Sequence, residues 1–136
     1  VGTVDPVTVA NTQVYTDVID MSKFTQVMGI AMTGNIGASE TIDFKAYYCD
    51  SDGNNATALK SAAQLAASAT ANDATQIVIV VRPQDLNAIA ESKRYIKFGL
   101  VTGGATGGPC GVVALGMPHY GPAADNDLST VVEIKY

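Results

Sequence analysis

The sequence predicts an all-β protein, an antiparallel β-sandwich of jelly-roll or Greek-key type with about seven or eight strands. Residues 41–48 alternate between apolar and polar side chains, which is the period of a half-buried antiparallel strand. Segments rich in β-branched residues recur along the chain, separated by clusters of Gly, Pro, Asn and Asp. No strand–helix–strand repeat indicates a parallel sheet. We expect one domain over residues 1–136, a length sufficient to bury a core.

The N-terminal part of the chain predicts an arm and two strands. Residues 1–11 contain β-forming valines that Asp5-Pro6 interrupts, so we expect an extended N-terminal arm, either loose or docked on a neighbouring subunit. Residues 12–19 predict the first strand, and residues 24–33 predict a second, more apolar one. Residues 20–23 between them predict a turn or a single helical turn.

The middle of the chain contains the clearest strand pattern. In the strand predicted over residues 39–49, the apolar side chains that share one face are Ile42, Phe44, Ala46 and Tyr48. The sequence allows residues 56–72 to form either an alanine-rich helix or a strand. Because they lie between two strongly predicted strands, we favour a strand for this segment. Residues 75–82 are a continuous β-branched run, typical of a strand buried on both faces. Pro83 ends that strand, and a short helical or irregular connection follows over 84–92.

The stretch from Arg94 to Met117 is the centre of the predicted fold. It contains two apolar segments joined by GGATGGPCG, where glycine and proline break regular structure. It therefore predicts a β-hairpin or two strands that cross between sheets. Residues 118–126 predict a further loop, and Leu128–Tyr136 predicts a last strand or an arm that adds to a sheet edge.

The composition restricts the class of partner. The net charge is −5 and the eight basic residues are scattered, so the chain lacks the clustered Lys and Arg that nucleic-acid binding needs. No apolar run approaches the roughly 20 residues that span a bilayer, and no signal peptide is recognised, so we expect no membrane partner. Only 15% of residues are charged, which is typical of a chain that buries part of its surface against neighbours. Cys49 and Cys110 adjoin apolar residues, so we expect two reduced, buried thiols unless the fold brings them together.

Motifs that could carry chemistry are few. His119 is the single histidine and lacks the partners of a catalytic triad or a multi-histidine metal site. The turn Asp50-Ser51-Asp52-Gly53-Asn54 resembles the start of a calcium loop, but its glycine is misplaced and Ser61 stands where the loop needs Glu. The loop 103–108 lacks the Lys-Ser/Thr of a phosphate cradle and predicts a connector or a tip that touches a neighbour.

Acidic and aromatic side chains give no defensible cluster either. The carboxylates considered for a glycosidase pair are Glu40, Asp43, Asp85, Glu91 and Glu133. The tyrosines considered for a sugar-binding platform are Tyr47, Tyr48, Tyr95, Tyr120 and Tyr136. We therefore predict no catalytic, cofactor-binding or metal-binding residues, no cofactor, and a protein that is not an enzyme.

Four segments together resemble small structural proteins of tailed bacteriophages. They are IDMSKFTQVMGIAMTGNIGASETIDFKAYYCDSDG, QIVIVVRPQDL, RYIKFGLVTGGATGG and VVALGMPHYGPA, and the resemblance covers about residues 19–124. It implies a virion component, either a capsid decoration (cement) protein or a minor capsid protein. It also implies a major capsid protein as the partner, homo-oligomers with trimers favoured, and a place on the capsid surface after synthesis in the host cytoplasm.

Such a role is a matter of binding rather than chemistry. A cement protein binds the assembled shell in preference to free subunits and so shifts the equilibrium towards the intact shell. The contact elements expected from the sequence are the arm 1–11, the glycine loop 103–108 and the tail Leu128–Tyr136. Two alternatives stay open at this point: a carbohydrate-binding or host-adhesion module on the virion, and a head–tail connector or tail component.

Overall fold

The structure is a computed structural model that describes residues 1–36, 40–66, 74–90, 92–104 and 107–119. Along the chain its strands are β1 (Gly2–Val9), β2 (Gln13–Tyr15), β3 (Ile19–Asp20), β4 (Phe24–Thr33), β5 (Thr41–Cys49), β6 (Thr57–Ser61), β7 (Leu65–Ala66), β8 (Gln76–Val81), β9 (Tyr95–Gly103) and β10 (Gly108–Pro118). A 3-10 helix over Met21–Lys23 precedes β4, and the helix α1 (Pro83–Asn87) follows β8.

Two antiparallel sheets form a sandwich. Sheet A has the strand order β1-β10-β4-β8, and sheet B has the order β2-β9-β5-β6. β3 also pairs with β9, and β7 also pairs with β5, so the ten strands occupy four positions in each sheet. Most successive positions lie in alternate sheets, which is the arrangement of an eight-stranded jelly roll. The predicted fold class is confirmed.

Three phenylalanines dominate the core between the sheets. Phe24, Phe44 and Phe98 are fully buried, and the rings of Phe44 and Phe98 stack with centroids 5.8 Å apart. Phe98 also packs against Gly29 of the facing sheet, where an added Cβ would lie 2.5 Å from its ring. Gly29 is therefore required by the close approach of an aromatic ring, and it sets the distance between the two sheets at this point.

Several predicted elements are confirmed. β4 occupies the predicted range 24–33, and the helical turn before it is a 3-10 helix whose N-cap Asp20 accepts a hydrogen bond from Ser22 N. In β5 the side chains of Ile42, Phe44 and Ala46 are buried, as the alternation predicts. The central stretch forms two strands that cross between sheets rather than a hairpin, since β9 lies in sheet B and β10 in sheet A.

The described part of the segment 56–72 contains two short strands and no helix. β6 and β7 both pair with β5, so tertiary pairing overrides the helix propensity of the alanines. The sequence favoured a strand that spans SAAQLAAS. The observed strand β6 begins earlier, at Thr57. Residues 67–73 lie outside the described residues.

Three expectations need correction. The arm expected over 1–11 is extended but not loose, because Gly2–Val9 pairs with β10 of its own sheet. The first strand is interrupted and forms the separate strands β2 and β3, which both pair with β9. β8 is not buried on both faces, since Val78 and Val80 are exposed on the outer side of sheet A. A β-branched run shows that both faces of a strand carry apolar side chains. It does not show that both faces pack against the core of the same chain. The last strand predicted over Leu128–Tyr136 lies outside the described residues.

Candidate functional site

The most unusual surface of the molecule is the outer side of sheet A. Strand alternation directs eight apolar side chains outward from its three adjacent strands β10, β4 and β8. We call this surface the apolar face; its members are Met28, Ile30, Met32, Val78, Val80, Val113, Leu115 and Met117. Five of the eight exposed large hydrophobic residues found in the described part of the chain belong to it.

The strand register makes the apolar face continuous. Val113 pairs with Ile30, which pairs with Val78, and Leu115 pairs with Met28, which pairs with Val80. Three of these side chains are at least half exposed: Leu115 and Val78 are each 50% exposed, and Met117 is 56% exposed. An apolar patch of this extent is unusual on a protein that remains a free monomer, and it indicates a binding surface.

The apolar face also lacks charge. β4, β8 and β10 contain no Asp, Glu, Lys or Arg, and β1 contains only Asp5. A partner would therefore cover this surface without removing a charged group from water, and that desolvation is the largest cost of burying protein surface. Depletion of charge at the centre is typical of buried protein–protein interfaces.

Two shallow depressions lie at opposite ends of sheet A. One has a volume of about 200 Å³ and is lined by Gln26, Met28, Val80, Leu115, Gly116 and Met117. The other has a volume of about 320 Å³ and is lined by Pro6, Met32, Thr33, Gly34, Pro109, Cys110 and Gly111. Small-molecule sites occupy about 300–1,000 Å³. The depressions are thus at or below the low end of that range, and they suit single apolar side chains of a docking partner.

The outer side of sheet B has the opposite character. Asp43, Lys45 and Tyr47 project from β5, and Lys97 projects from β9 beside Tyr47. Gln64 Nε2 donates a hydrogen bond of 2.6 Å to Asp43 Oδ2. This surface is polar and charged, as expected for a sheet face in contact with water. The two outer sides of the sandwich therefore differ in their chemistry.

An aromatic cluster occupies the centre of that polar side. The rings of Tyr15 and Tyr47 meet edge to face with centroids 5.5 Å apart, and Lys97 Nζ lies 3.9 Å from the Tyr15 centroid. Gln13 Nε2 donates a 2.5 Å hydrogen bond to Tyr47 Oη. Gly99 lies beneath the cluster, and its lack of a side chain leaves room for Gln13, Tyr15 and Tyr47. Burial, followed by the neighbouring Tyr47, raises the pKa of Tyr15. Lys97 covers the Tyr15 ring, so the cluster presents no bare aromatic platform.

Of the three tyrosines considered for sugar binding that the structure describes, only two share a face. Tyr47 and Tyr95 lie on the outer side of sheet B, but Tyr48 points inward and packs against the core. Tyr120 and Tyr136 lie outside the described residues. The exposed partner of Tyr47 is Tyr15, which the sequence did not single out because β2 is only three residues long.

The acidic turn after β5 is stabilised by hydrogen bonds among its own side chains and backbone groups. Asp50 Oδ2 accepts a hydrogen bond from Asn55 Nδ2, and Asp52 accepts two from Asn54. Gly53 has a φ of 82°, which glycine adopts without strain. These carboxylates are occupied by their own turn, which agrees with turn chemistry. Within the described part of the chain, no group of three or more His, Cys, Asp or Glu side chains could hold a metal ion.

The other carboxylates considered have different contact partners. Asp85 Oδ2 forms an ion pair of 2.6 Å with Lys60 and accepts a hydrogen bond from the Arg82 backbone. Glu40 is buried beside Gly104, whereas Asp43 contacts Gln64. Glu91 and Glu133 lie outside the described residues. The three candidate carboxylates that the structure describes therefore have separate contacts, and none of these contacts joins two of them.

The remaining candidates are His119 and the glycine loop, and the contacts described for both belong to the fold. The backbone N–H of His119 donates to Lys23 O at the end of β10. In the glycine loop, Gly104 N donates to Asn11 Oδ1, and Gly107, with a φ of 68°, passes close to Val9 O. Residues 105 and 106 of this loop lie outside the described residues.

The two cysteines are free and buried, in different sheets, as expected from the sequence. Burial raises the pKa of the Cys49 and Cys110 thiols, so both are poor nucleophiles.

One ion pair ties the start of the 3-10 helix to β9. The Arg94 guanidinium donates hydrogen bonds from Nε and Nη2 to the two carboxylate oxygens of Asp20. These hydrogen bonds hold the pKa of Asp20 at about 2, below its ordinary value of 3.8. A bidentate pair of this kind fixes geometry as well as charge.

The apolar face is the feature that sequence reasoning missed. Its signal was present, because β4, β8 and β10 each carry apolar residues at both odd and even positions. That pattern was assigned to burial within the chain, as in a fully covered sheet. None of the helices in the described part of the chain is long and apolar enough to cross a bilayer.

Comparison with known proteins gives a distant result. No protein-family model matches the chain, and no curated protein matches it. Among solved structures, the chain is similar to the infectious bursal disease virus VP2 subviral particle, with a TM-score of 0.47 and 14% identity over 83% of this chain and 30% of that chain. It is also similar to infectious bursal disease virus Gx strain, with a TM-score of 0.43 and 18% identity over 79% of this chain and 27% of that chain. The chain thus spans less than a third of either protein, and similarity at this level supports no conclusion about function.

Proposed function

We propose that this protein is a structural component of a bacteriophage particle that binds the outside of the assembled capsid and stabilises it. The observation that carries the proposal is the difference between the two outer sides of the sandwich. The apolar face is uncharged and continuous, whereas the outer side of sheet B is polar and charged. A domain of this kind is built to be covered on one side and to face water on the other.

The sequence motifs direct the proposal towards a virion. The segments that contain Ile19–Phe24 and Arg94–Lys97 resemble those of small structural proteins of tailed bacteriophages. The jelly roll is compatible with that role but does not decide it, because capsid, lectin and cupin domains all use it. The motifs thus suggest the kind of particle, and the apolar face suggests how the protein attaches.

The proposed mechanism is thermodynamic linkage. A protein that binds the assembled shell and not its free subunits stabilises the shell by an amount that grows with its own concentration. At one hundred times the dissociation constant, each bound copy contributes about 2.7 kcal/mol. Repetition over many equivalent sites adds these contributions across the shell.

In the proposed orientation, the apolar face lies on the major capsid protein. Val78, Val80 and Leu115 lie near the middle of the contact, and Met32 and Met117 lie towards its ends, where the two depressions receive partner side chains. The aromatic cluster around Gly99 then faces solvent. Trimers around a local symmetry axis of the shell are the expected form of the bound protein.

The proposal is tested by co-sedimentation with capsids stripped of accessory proteins. Purified protein is mixed with mature shells, and the bound copies are counted as the protein concentration rises. Saturation at hundreds of copies per shell, accompanied by a higher melting temperature of the shell, supports decoration. Saturation at a ring-like copy number would instead assign the protein to a connector or tail position, and absence of binding would refute the proposal.

A further inference from the structure

The sulfur-containing side chains are divided between the core and the apolar face. The chain has four methionines and two cysteines, and all six lie in the described part of the structure. Both cysteines and Met21 are buried. Met28 is half-buried, whereas Met32 and Met117 are 41% and 56% exposed. The two most exposed sulfur-containing residues therefore both belong to the apolar face.

The cysteines and the methionines also differ in their reactivity towards oxidants. A cysteine reacts as its thiolate, and burial raises the pKa of both thiols, so few thiolates form near neutral pH. A methionine sulfur carries no proton, so its oxidation to the sulfoxide does not require ionisation. A peroxide in solution should therefore react first with Met32 and Met117.

Met32 and Met117 lie at opposite ends of the apolar face. Met32 pairs with Gly111, and Met117 pairs with Gln26, six residues further along β4 and β10. At a rise of about 3.3 Å per residue, the two methionines are separated by about 20 Å. Met32 lines the depression of about 320 Å³, and Met117 lines the depression of about 200 Å³. Each therefore lies where a docking partner would insert a side chain.

We propose that oxidation of Met32 and Met117 to methionine sulfoxide by a peroxide is a redox switch that prevents docking of the apolar face. The thioether sulfur attacks one peroxide oxygen, and a sulfur–oxygen bond forms as the oxygen–oxygen bond breaks. The proton of the attacked oxygen passes to the departing hydroxide, which leaves as water. The sulfur loses two electrons and the peroxide gains them. The switch rests on the proposed function, because it acts on the surface assigned to docking.

The surroundings of Met32 make its sulfoxide costly to cover. A sulfoxide oxygen accepts hydrogen bonds, and in the free protein water supplies the donor. Of the described residues that line this depression, the two prolines have no N–H, and Gly34 N donates to Pro109 O. The Thr33 hydroxyl is hydrogen-bonded to Thr75. A partner that covers the sulfoxide removes its water, and these neighbours offer no replacement.

The surroundings of Met117 are less demanding. Gln26 lines the same depression and pairs with Met117, so its side-chain amide can supply a donor. Oxidation of Met32 should therefore weaken docking more than oxidation of Met117. Docking covers both residues, so the switch acts on free copies and spares copies that are already bound.

The experiment follows oxidation and docking on the same samples of the full chain. Peptide mapping by mass spectrometry locates the oxygen added by hydrogen peroxide, and co-sedimentation with stripped capsids gives the dissociation constant before and after treatment. We expect oxidation of Met32 and Met117 while Met21 remains unmodified. Binding should become about tenfold weaker or more. Methionine sulfoxide reductases should restore it.

Two matched variants separate the two methionines. Met32→Leu and Met117→Leu each keep an apolar side chain of similar volume but remove the sulfur. Both should bind shells like the natural protein before treatment. After peroxide, Met32→Leu should keep most of its binding, whereas Met117→Leu should lose most of it.

Three results would overturn the switch. The first is unchanged binding after complete oxidation of Met32 and Met117, and the second is an equal loss in Met32→Leu and the natural protein. The third is oxidation of Met21 as fast as that of Met32, or a lower urea midpoint of the oxidised protein, because the loss would then come from damage to the fold. Failure of the untreated protein to bind shells is a distinct result, since it would refute the proposed function and the switch with it.

Discussion

Replacement of Leu115 by lysine should weaken capsid binding strongly without unfolding the protein. Leu115 lies within the apolar face, pairs with Met28 in β4 and is 50% exposed. Half of its surface is already buried in the free protein, and a docking partner would cover the rest. A lysine at this position can keep its stem on the sheet and its ammonium in water as long as no partner is bound.

The magnitude follows from the exposed half of the side chain. Full burial of a leucine side chain contributes about 1.5–3 kcal/mol, so burial of the exposed half contributes about 0.8–1.5 kcal/mol to docking. The substitution removes this contribution and buries an unpaired charge, which costs a further 1–3 kcal/mol or so. A total loss of about 2–4 kcal/mol corresponds to a dissociation constant roughly 30-fold to several hundred-fold higher.

Co-sedimentation isotherms with stripped capsids measure this loss, and the matched control is Ala58→Lys. Ala58 is exposed on β6 and pairs with Tyr47 on the outer side of sheet B, so the control adds the same charge to the opposite side of the sandwich. We expect the control to bind like the natural protein, and both variants to unfold within about 0.5 kcal/mol of it. Equal binding by Leu115→Lys and the natural protein would refute the assignment of the apolar face as the docking surface.

Three further predictions concern the fold. Gly29→Ala should lower the free energy of unfolding by about 1–3 kcal/mol in urea denaturation, because the added Cβ collides with the Phe98 ring; an unchanged midpoint would contradict the packing described. Arg94 holds the folded-state pKa of Asp20 at about 2, below 3.8, so the pair stabilises the protein above about pH 4 and this stabilisation is lost as the pH falls towards 2. Since Arg94 is half exposed, we expect a loss of about 1 kcal/mol that Asp20→Asn does not show, and parallel pH profiles of the two proteins would argue against the pair. The two buried cysteine thiols should resist alkylation at pH 8 until denaturant is added, and modification of the native protein would show that they are accessible.

The sequence predicted where strands lie in the chain better than it predicted how they pair. β4 and β5 were predicted closely because local alternation and turn residues determine where such strands begin and end. The division of residues 12–19 into β2 and β3 was not predictable, because it depends on pairing with β9, more than 70 residues away in the chain. Sheet membership is likewise a long-range property, which is why the central stretch could be a hairpin or a crossing.

The candidate site was not predicted, for a related reason. The sequence of β8 shows that both sides of the strand are apolar, but its pairing register with β4 decides that Val78 and Val80 face outward. The sequence did indicate an unusually low content of charge and a surface covered by neighbours. Only the strand register of β4, β8 and β10 gathers the outward residues into one apolar face.

Oxidative footprinting on the capsid tests the central claim most directly, because three of the four methionines belong to the apolar face. In the free protein Met32 and Met117, which are 41% and 56% exposed, should be converted to sulfoxides by peroxide, whereas Met21 in the core should react slowly. After binding to shells, we expect protection of Met32 and Met117, while Tyr15 on the opposite side remains open to hydroxyl-radical labelling. Oxidation of Met32 and Met117 at equal rates in free and bound protein would contradict docking through this face.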